Sequence, residues 1–571
     1  MLKNPNENIF TVGIGGAAGD GVLEAGSSIG FLLRDLGYQV YLSSNYPSLI
    51  RGGHNFVRIS FSKEKIWNDH SKLDAVIALN EETVKLHKNE LNPGGVIFAD
   101  AFEEDDLKTL GANAVMMPMK SSVAEISAPP ITRNSVALGA LCYVLDLPIE
   151  KMTEILQMVF VGKLPEVNIK LAGVGFEHMQ KLNFRHDKKI EPGEARGDFI
   201  DGSVAFGKGL IVAGLDFYLA YPMTPSSAIL HYLARQQKTN GLKVIQPENE
   251  ISVINMALGM SYVGKRVAIG SATGGFALMQ EAFSFANGAE LPLVVAVCQR
   301  QAPATGVPTH SSQSDLRFAL AAGHGEFPRI VIAPGDPEES FLAGANALNF
   351  AWKFQMPVIV LLDKILCEHM MTTSSLDEKS VLIERGKMEQ NPDSDYSRYK
   401  FADDGISSMA FPGTKDAIIK VTSYEHDEHG ITTEETDEVK KMIDKRFSKI
   451  KSIETEMKNM ETVKVYGDAS SENVVVFFGS TKSPVLEASK YFDKPAKLVQ
   501  IIWISPFDAE KVKKELGGAK KIICVEGNHE AQLAGLIREK TGIEMTDKIL
   551  QYDSLPFDPV ELAEQINNII K

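Results

Sequence analysis

The chain has 571 residues, 44% of them hydrophobic and 23% charged, with a formal net charge of −15. That length exceeds what one hydrophobic core serves and predicts three or more domains. The acidic balance argues against a nucleic-acid surface, and no apolar run approaches membrane-spanning length, so a soluble cytoplasmic protein is expected.

The opening "MLKNPNENIF" lacks the basic-then-apolar pattern of a signal peptide. "IFTVGIG" then reads as a strand running into the glycine-rich "GIGGAAGDG". Val22, Ala25, Ile29, Leu32, Leu33 and Leu36 follow at helical spacing. "YQVYLSS", "NFVRISFS", "DAVIALN" and "GGVIFAD" are further strands; in the second of these Val57, Ile59 and Phe61 share one face and Arg58 and Ser60 the other. This α/β domain is expected over 1–190, ending in the polar linker "RHDKKIEPGEARGD". A second domain over 197–371 repeats the alternation through "LDFYLAY", "LKVIQ", "RVAIGSA", "LPLVVAVC", "PRIVIAP" and "PVIVLLD". Such short, continuous apolar runs predict parallel strands buried on both faces of a doubly wound sheet. Residues 372–472 turn polar and carry one amphipathic helix marked by Val439, Met442, Ile443, Ile450, Ile453 and Met457, its Lys/Glu face expected in solvent. A last α/β domain, 473–571, has "VVVFFGS", "LVQIIWIS" and "KKIICVEGN" as strands. Cys142, Cys298, Cys367 and Cys524 are far apart, and all but Cys367 sit in apolar runs and read as reduced core residues. There is no CxxC, so no metal or iron–sulfur site is expected in this chain.

The glycine loop admits several readings. Gly13, Gly15 and Ala18 fit a GxGxxA dinucleotide pattern, which would make the chain an NAD-dependent dehydrogenase. The second strand ends in Ser43, Ser44 and Asn45, without the acid that meets the ribose, which argues against NAD. Gly19, Asp20 and Gly21 open a thiamine-diphosphate/Mg²⁺ motif that never reaches its closing Asn-Asn, since Tyr46 follows Asn45. A tight strand-to-helix turn, or a nest of backbone N–H groups for a phosphate, both remain open.

Four stretches of the second domain concentrate chemistry. In "AYPMTPSSAIL", Pro222 and Pro225 fix the backbone around Thr224, and Ser226 or Ser227 can cap the helix carrying Ile229, Leu230 and Leu233. In "QPENEISVINMALGMSYVG", Asn249 can cap a helix with a buried stripe of Ile251, Ile254, Ala257 and Leu258, which puts Glu250 in its first turn; Glu248 competes for a functional role. In "GSATGGFALMQEAF", Gly274 and Gly275 allow close approach of a ligand. In "AVCQRQAPATGVPTHSSQSDL", Arg300 leaves a buried strand into a loop with Thr305 and Thr309, where a guanidinium can take a carboxylate by a bidentate pair.

These motifs, with "GIGGAAGDGV", "YPSLIRGGHN", "GISSMAFPG", "EHDEHG" and "KILQYDSLPFDP", resemble over nearly the whole chain the fused γα subunit of two-subunit 2-oxoacid:ferredoxin oxidoreductases, of the 2-oxoglutarate type. The resemblance implies a γ-type α/β domain, a pyrimidine-side thiamine-enzyme domain with a doubly wound parallel sheet, and a transketolase-C-like α/β domain. It implies CoA-dependent oxidative decarboxylation of a 2-oxoacid (2-oxoglutarate favoured, or pyruvate) to acyl-CoA and CO₂ with reduction of ferredoxin, also run in reverse. It implies thiamine diphosphate shared with a β subunit that would hold Mg²⁺ and a [4Fe-4S] cluster, in an (αβ)₂ heterotetramer. Counting to the helix glycine Gly259 makes Glu250 the family's activating glutamate. Thr224, Arg300, Thr309 and Thr305 match the family's substrate-contacting positions, and the resemblance implies Gly274 and Gly275 at the cofactor and Gly15, Gly16, Gly19 or Arg51 at a coenzyme A phosphate. His310, Ser311, Ser312 and Arg317 are polar candidates for the far end of the substrate. The chain departs from many relatives at "ATGG" and "RQAPAT" and at His310, changes that bear on the choice of oxoacid. A non-catalytic structural partner of a catalytic β subunit is the other expectation left open.

Overall fold

In the computed structural model, Phe10–Ala18 is one continuous strand, so Gly13, Gly15 and Gly16 lie inside a sheet and the turn comes only at Gly19–Gly21. The reason is packing: the strand is paired on both sides, and a Cβ at Gly13 would stand 2.5 Å from the Phe56 ring. The structure describes residues 8–49, 52–100, 114–188, 190–195 and 197–571. These belong to two units, Met1–Ile200 with His369–Leu376, and Asp201–Glu368 with Asp377–Lys571.

The first unit is built on an eight-stranded sheet. Its order is Ala114–Met116, Leu91–Ala99, Leu73–Ala78, Phe10–Ala18, Gly52–Ser62, Gln39–Asn45, Met370–Thr373, Asp198–Asp201. The first four strands run parallel, whereas Gly52–Ser62 is antiparallel to both its neighbours. Met370–Thr373 comes from beyond the second domain's last long strand and pairs antiparallel with Gln39–Asn45, with Val40 N–H donating to Thr372 Oγ1 at 3.0 Å. The helix Val22–Asp35 buries Val22, Ala25, Ile29, Leu32 and Leu33, the stripe read from its spacing.

The second unit contains two sheets. The seven-stranded sheet has the order Trp503–Ser505, Ile330–Ile332, Pro357–Asp363, Leu293–Gln299, Val267–Ala272, Phe217–Leu219, Lys243–Ile245. All are parallel except Trp503–Ser505, and the central strands are buried along their whole length. The five-stranded sheet runs Val463–Gly467, Lys497–Ile501, Asn473–Phe478, Lys521–Glu526, Asp547–Leu550. "LVQIIWIS" is therefore two strands: its first half joins the five-stranded sheet, and Trp503–Ser505 closes the edge of the seven-stranded one. A uniform apolar run carries no mark of a change of sheet.

The amphipathic helix spans Thr436–Met457 and buries Met442, Ile453 and Met457. Its charged residues are not all solvated as expected: Lys445 and Lys449 are buried and each lies 2.6 Å from the fully buried carboxylate of Glu290. Arg398 donates to the Glu290 carbonyl at 2.8 Å. Burial alone would raise the pKa of Glu290, but Lys445, Lys449 and Arg398 outweigh it and hold the carboxyl far below 4.5. All four cysteines are buried free thiols. Among the described residues, no helix is long and apolar enough to cross a membrane.

Candidate functional site

Four strands of the parallel sheet deliver the second domain's candidates at their carboxyl ends. Thr224 follows Phe217–Leu219, Glu250 follows Lys243–Ile245, Gly274 and Gly275 follow Val267–Ala272, and Arg300 follows Leu293–Gln299. Those strands are parallel neighbours, so their carboxyl ends share one edge, where open α/β sheets bind ligands.

The bend after Phe217–Leu219 holds Thr224 between Pro222 and a cis Thr224–Pro225 bond. The helix Ser227–Asn240 follows, burying Ile229, Leu230 and Leu233. Neither serine caps it through its side chain: Ser226 is already in helical φ/ψ, and its Oγ donates back to the Met223 carbonyl at 2.7 Å. Arg300 reaches this bend and donates from a terminal nitrogen to the Thr224 carbonyl at 2.9 Å. Half-buried, it has its pKa lowered by desolvation, yet a guanidinium keeps its charge.

Asn249 caps the helix Glu250–Tyr262, accepting from Ser252 N–H at 3.0 Å. Glu250 in the first turn is 4% exposed, and its Oε1 has no hydrogen-bond partner. Glu248 is exposed and accepts from the Ser252 hydroxyl. Ile251, expected in the buried stripe, is 52% exposed; the helix instead buries Val253, Ile254, Ala257 and Leu258, because the stripe is centred on Glu250 and not on its neighbour. Gly275 explains how Glu250 fits: a Cβ there would stand 2.6 Å from Glu250 Oε1 and would also collide with Ser271 Oγ, itself buried without a partner. Gly274 is exposed, with only the Ala304 carbonyl, at 3.9 Å, near the place of a Cβ. Two unpartnered buried oxygens beside a glycine turn form a polar cradle of the kind that a heterocycle's ring nitrogens and amino group would satisfy.

The loop after Arg300 is a tight hairpin. Gln301 bridges Val307 in antiparallel fashion, and Gln301 N–H donates to the His310 carbonyl at 3.1 Å. Thr305 stands exposed near the tip, while Thr309 is buried at its base. His310 Nδ1 donates to the Ser554 carbonyl at 3.1 Å. Ser312 is buried, its Oγ accepting from Ser314 N–H at 3.2 Å, and Ser311 is half-buried. Arg317 turns to Glu539, at 2.8 Å.

Sequence reasoning passed over the groups that tie this loop down. Asp315 accepts from the Thr273 hydroxyl at 2.7 Å, next to Gly274, and its backbone N–H donates to Gln299 Oε1 at 3.0 Å. Burial pushes the Asp315 carboxyl up, against the lowering effect of the Thr273 bond. Gln313 is sewn to the five-stranded sheet by bonds to the Phe478 carbonyl and to Gly527 N–H, both 2.9 Å. The polar run "QSDL" was the available signal, but its partners lie in distant segments.

In the first unit, Gly15 and Gly16 are paired strand residues, and Gly19 has φ +99 with open space where a Cβ would be. The Asp20 carboxylate accepts from Ala17 N–H at 2.9 Å and pairs with Arg133 at 2.8 Å, so part of the expected N–H nest is already engaged. Arg51 lies outside the described residues.

Two family models match the chain: "Pyruvate ferredoxin/flavodoxin oxidoreductase" over residues 11–178, and "Pyruvate flavodoxin/ferredoxin oxidoreductase, thiamine diP-bdg" over residues 208–445. Subunit alpha of 2-oxoacid:ferredoxin oxidoreductase 2 from Aeropyrum pernix is 31% identical, over 98% of this chain and 97% of that one. A 2-oxoglutarate synthase subunit KorA from Methanocaldococcus jannaschii is 31% identical over 58% of this chain and 88% of its own. The solved 2-oxoglutarate:ferredoxin oxidoreductase from Magnetococcus marinus, with 2-oxoglutarate, coenzyme A and succinyl-CoA bound, superposes with a TM-score of 0.88 at 29% identity, covering 99% of this chain and 100% of that chain. These matches carry the oxidoreductase reading over the dehydrogenase one, and the chain belongs to the 2-oxoacid:ferredoxin oxidoreductases as an alpha subunit that binds thiamine diphosphate.

Proposed function

We propose that this alpha subunit, joined to a β subunit in the cytoplasm, catalyses the coenzyme A-dependent oxidative decarboxylation of a 2-oxoacid, with 2-oxoglutarate the favoured substrate and pyruvate the runner-up. The substrate loses CO₂, its acyl group passes to the thiol of coenzyme A, and two electrons leave for ferredoxin; run backwards, the same steps fix CO₂. The 2-oxoglutarate preference is supported by the KorA relative and by the M. marinus structure. Mg²⁺ and a [4Fe-4S] cluster are assigned to the β subunit, and the assembly to an (αβ)₂ heterotetramer. A coenzyme A phosphate is assigned to the first unit, at the Gly19 turn and Arg51.

The observation that carries this reading is Glu250 Oε1, buried and unpartnered against the Gly275 turn. The residues fit thiamine diphosphate: Glu250 and Ser271 offer the aminopyrimidine ring the polar partners they lack, and Gly274 and Gly275 leave room for it. When bound, thiamine diphosphate supplies the electron sink that makes loss of CO₂ feasible. Glu250 then holds or exchanges a proton at Oε1, as a positioned carboxyl does in general acid–base catalysis. Arg300, steadied by the Thr224 carbonyl, takes the C1 carboxylate that every 2-oxoacid carries. Its placement there limits the ordering cost of binding. The hydroxyls of Thr224 and Thr309, with Thr305 as a weaker contact, orient the keto group. Far-end discrimination falls to His310, Ser311 and Ser312.

The test is co-expression with the β subunit and an assay of viologen reduction with 2-oxoglutarate and pyruvate, with and without coenzyme A. The reading expects 2-oxoglutarate to be preferred and coenzyme A to be required for turnover; activity with neither oxoacid rejects it.

A further inference from the structure

A cavity of about 730 Å³ lies in the second unit, away from the strand ends that carry Thr224, Glu250 and Arg300. It is bounded by Leu320, Phe327, Arg329, Ile450, Phe507 and Leu536, among others. The volume falls within the roughly 300–1,000 Å³ of small-molecule sites, and the lining mixes apolar side chains with the charged groups Arg317, Arg329, Lys540, Glu326, Glu454 and Glu539.

Its cations differ in one respect. Arg317 pairs with Glu539 at 2.8 Å, and Lys540 lies 2.8 Å from the same carboxylate. Arg329 pairs with no carboxylate among the described residues. One of its terminal nitrogens donates to the Leu320 carbonyl at 2.6 Å, and its guanidinium lies over the Phe327 ring, 4.2 Å from the centroid. Ser505 Oγ fixes its backbone by donating to the Arg329 carbonyl at 2.9 Å. Desolvation lowers its pKa to about 10, so it remains charged at neutral pH; the carboxylates that line the same cavity, Glu326, Glu454 and Glu539, form no ion pair with it. A partly desolvated guanidinium with donors to spare, set against apolar and aromatic walls, is a seat for a carboxylate. Glu326 and Glu454, both exposed, line the same cavity and repel an anion, so the anionic group is left to the unpaired guanidinium of Arg329.

We propose that this cavity is a second ligand site, one that takes a small organic carboxylate with an apolar body. The carboxylate seats on Arg329, and the body lies against Leu320, Phe327, Ile450 and Phe507. The site is distinct from the oxoacid site and does not depend on the substrate assignment.

The test uses the holoenzyme, co-expressed with its β subunit and titrated calorimetrically with octanoate, octan-1-ol and acetate. Octanoate is expected to bind saturably, and octanol, which lacks the charge, and acetate, which lacks the body, to bind at least about tenfold more weakly. R329Q is expected to weaken octanoate by about tenfold or more, the loss of one charge-assisted contact. I450W fills the cavity and is expected to abolish binding even if R329Q fails to fold; thermal melts report folding. No saturable octanoate binding by the wild-type holoenzyme overturns the proposal, as does octanoate binding that I450W leaves unchanged.

Discussion

Two glutamates of the second unit are buried almost alike and are treated oppositely. Glu290 is enclosed by Lys445 and Lys449 at 2.6 Å, with Arg398 on its own carbonyl. Glu250, 4% exposed, keeps an oxygen with no partner, beside a serine in the same condition and a glycine that leaves it space. A buried carboxylate that the chain neutralises itself serves the fold. The one that the chain leaves open is the carboxylate that the proposed function gives to the cofactor.

The sharpest way to break this contrast is to remove each charge in turn. Glu250→Gln should lower turnover by about 10²–10⁴-fold, the usual worth of a positioned acid–base group, with assembly and melting temperature retained. Viologen reduction and a thermal melt check both halves, and full activity would leave Glu250 a structural residue. Glu290→Gln should do the converse, costing about 3–5 kcal/mol of stability because two lysines are left buried without their anion. Urea titration measures it.

The same pair predicts a pH dependence. Glu290 has its pKa depressed below 4.5 in the folded state, so it contributes stability above that value and loses the contribution as pH falls further. The melting temperature should therefore drop as acid is added below about pH 4.5. A melt series in which Glu290→Gln shows the same acid limb as wild type would remove Glu290 as its source.

Arg300→Lys should cost about 1.5–3 kcal/mol, or roughly ten- to hundredfold in kcat/KM, for every 2-oxoacid alike, because a lysine keeps the charge and loses the planar fork. A loss confined to dicarboxylic oxoacids would make Arg300 the far-end reader instead. The smallest effect is expected of Gly275→Ala. The new methyl must displace Glu250 Oε1 or Ser271 Oγ, a strain of about 1–3 kcal/mol. Melting temperature should fall, and turnover should fall with it, whereas alanine at Gly274, where the space is open in the free chain, should leave the melting temperature nearly unchanged and lower only turnover.

Legibility followed the range of the interactions. The parallel strands of the second domain were readable because strands buried on both faces are continuous apolar runs, and they appear where those runs lie. The cap at Asn249 was readable because its partner, Ser252, is three residues away. The first glycine loop misled because a GxG inside a strand looks like one in a turn; Phe56 and Thr83, which require the absence of a side chain, come from other elements. Lys445 and Lys449 misled in the same way, since an amphipathic pattern assigns lysines to water until a buried Glu290 from a segment more than 150 residues away claims them.

The sequence by itself determined the local elements, the hydroxyl-rich and glycine-rich turns at their ends, and the identity of Glu250 as the first residue of its helix, since each depends on spacings within a few residues. Only the tertiary structure decided which strand ends meet. It brought Arg300 to the Thr224 carbonyl and set Asp315 against Thr273. It also sent Arg317 to Glu539, left Glu250 unpaired and closed Glu290. These are matters of distance between segments remote in the chain, and burial and charge pairing become defined only when the sheet order brings those segments together.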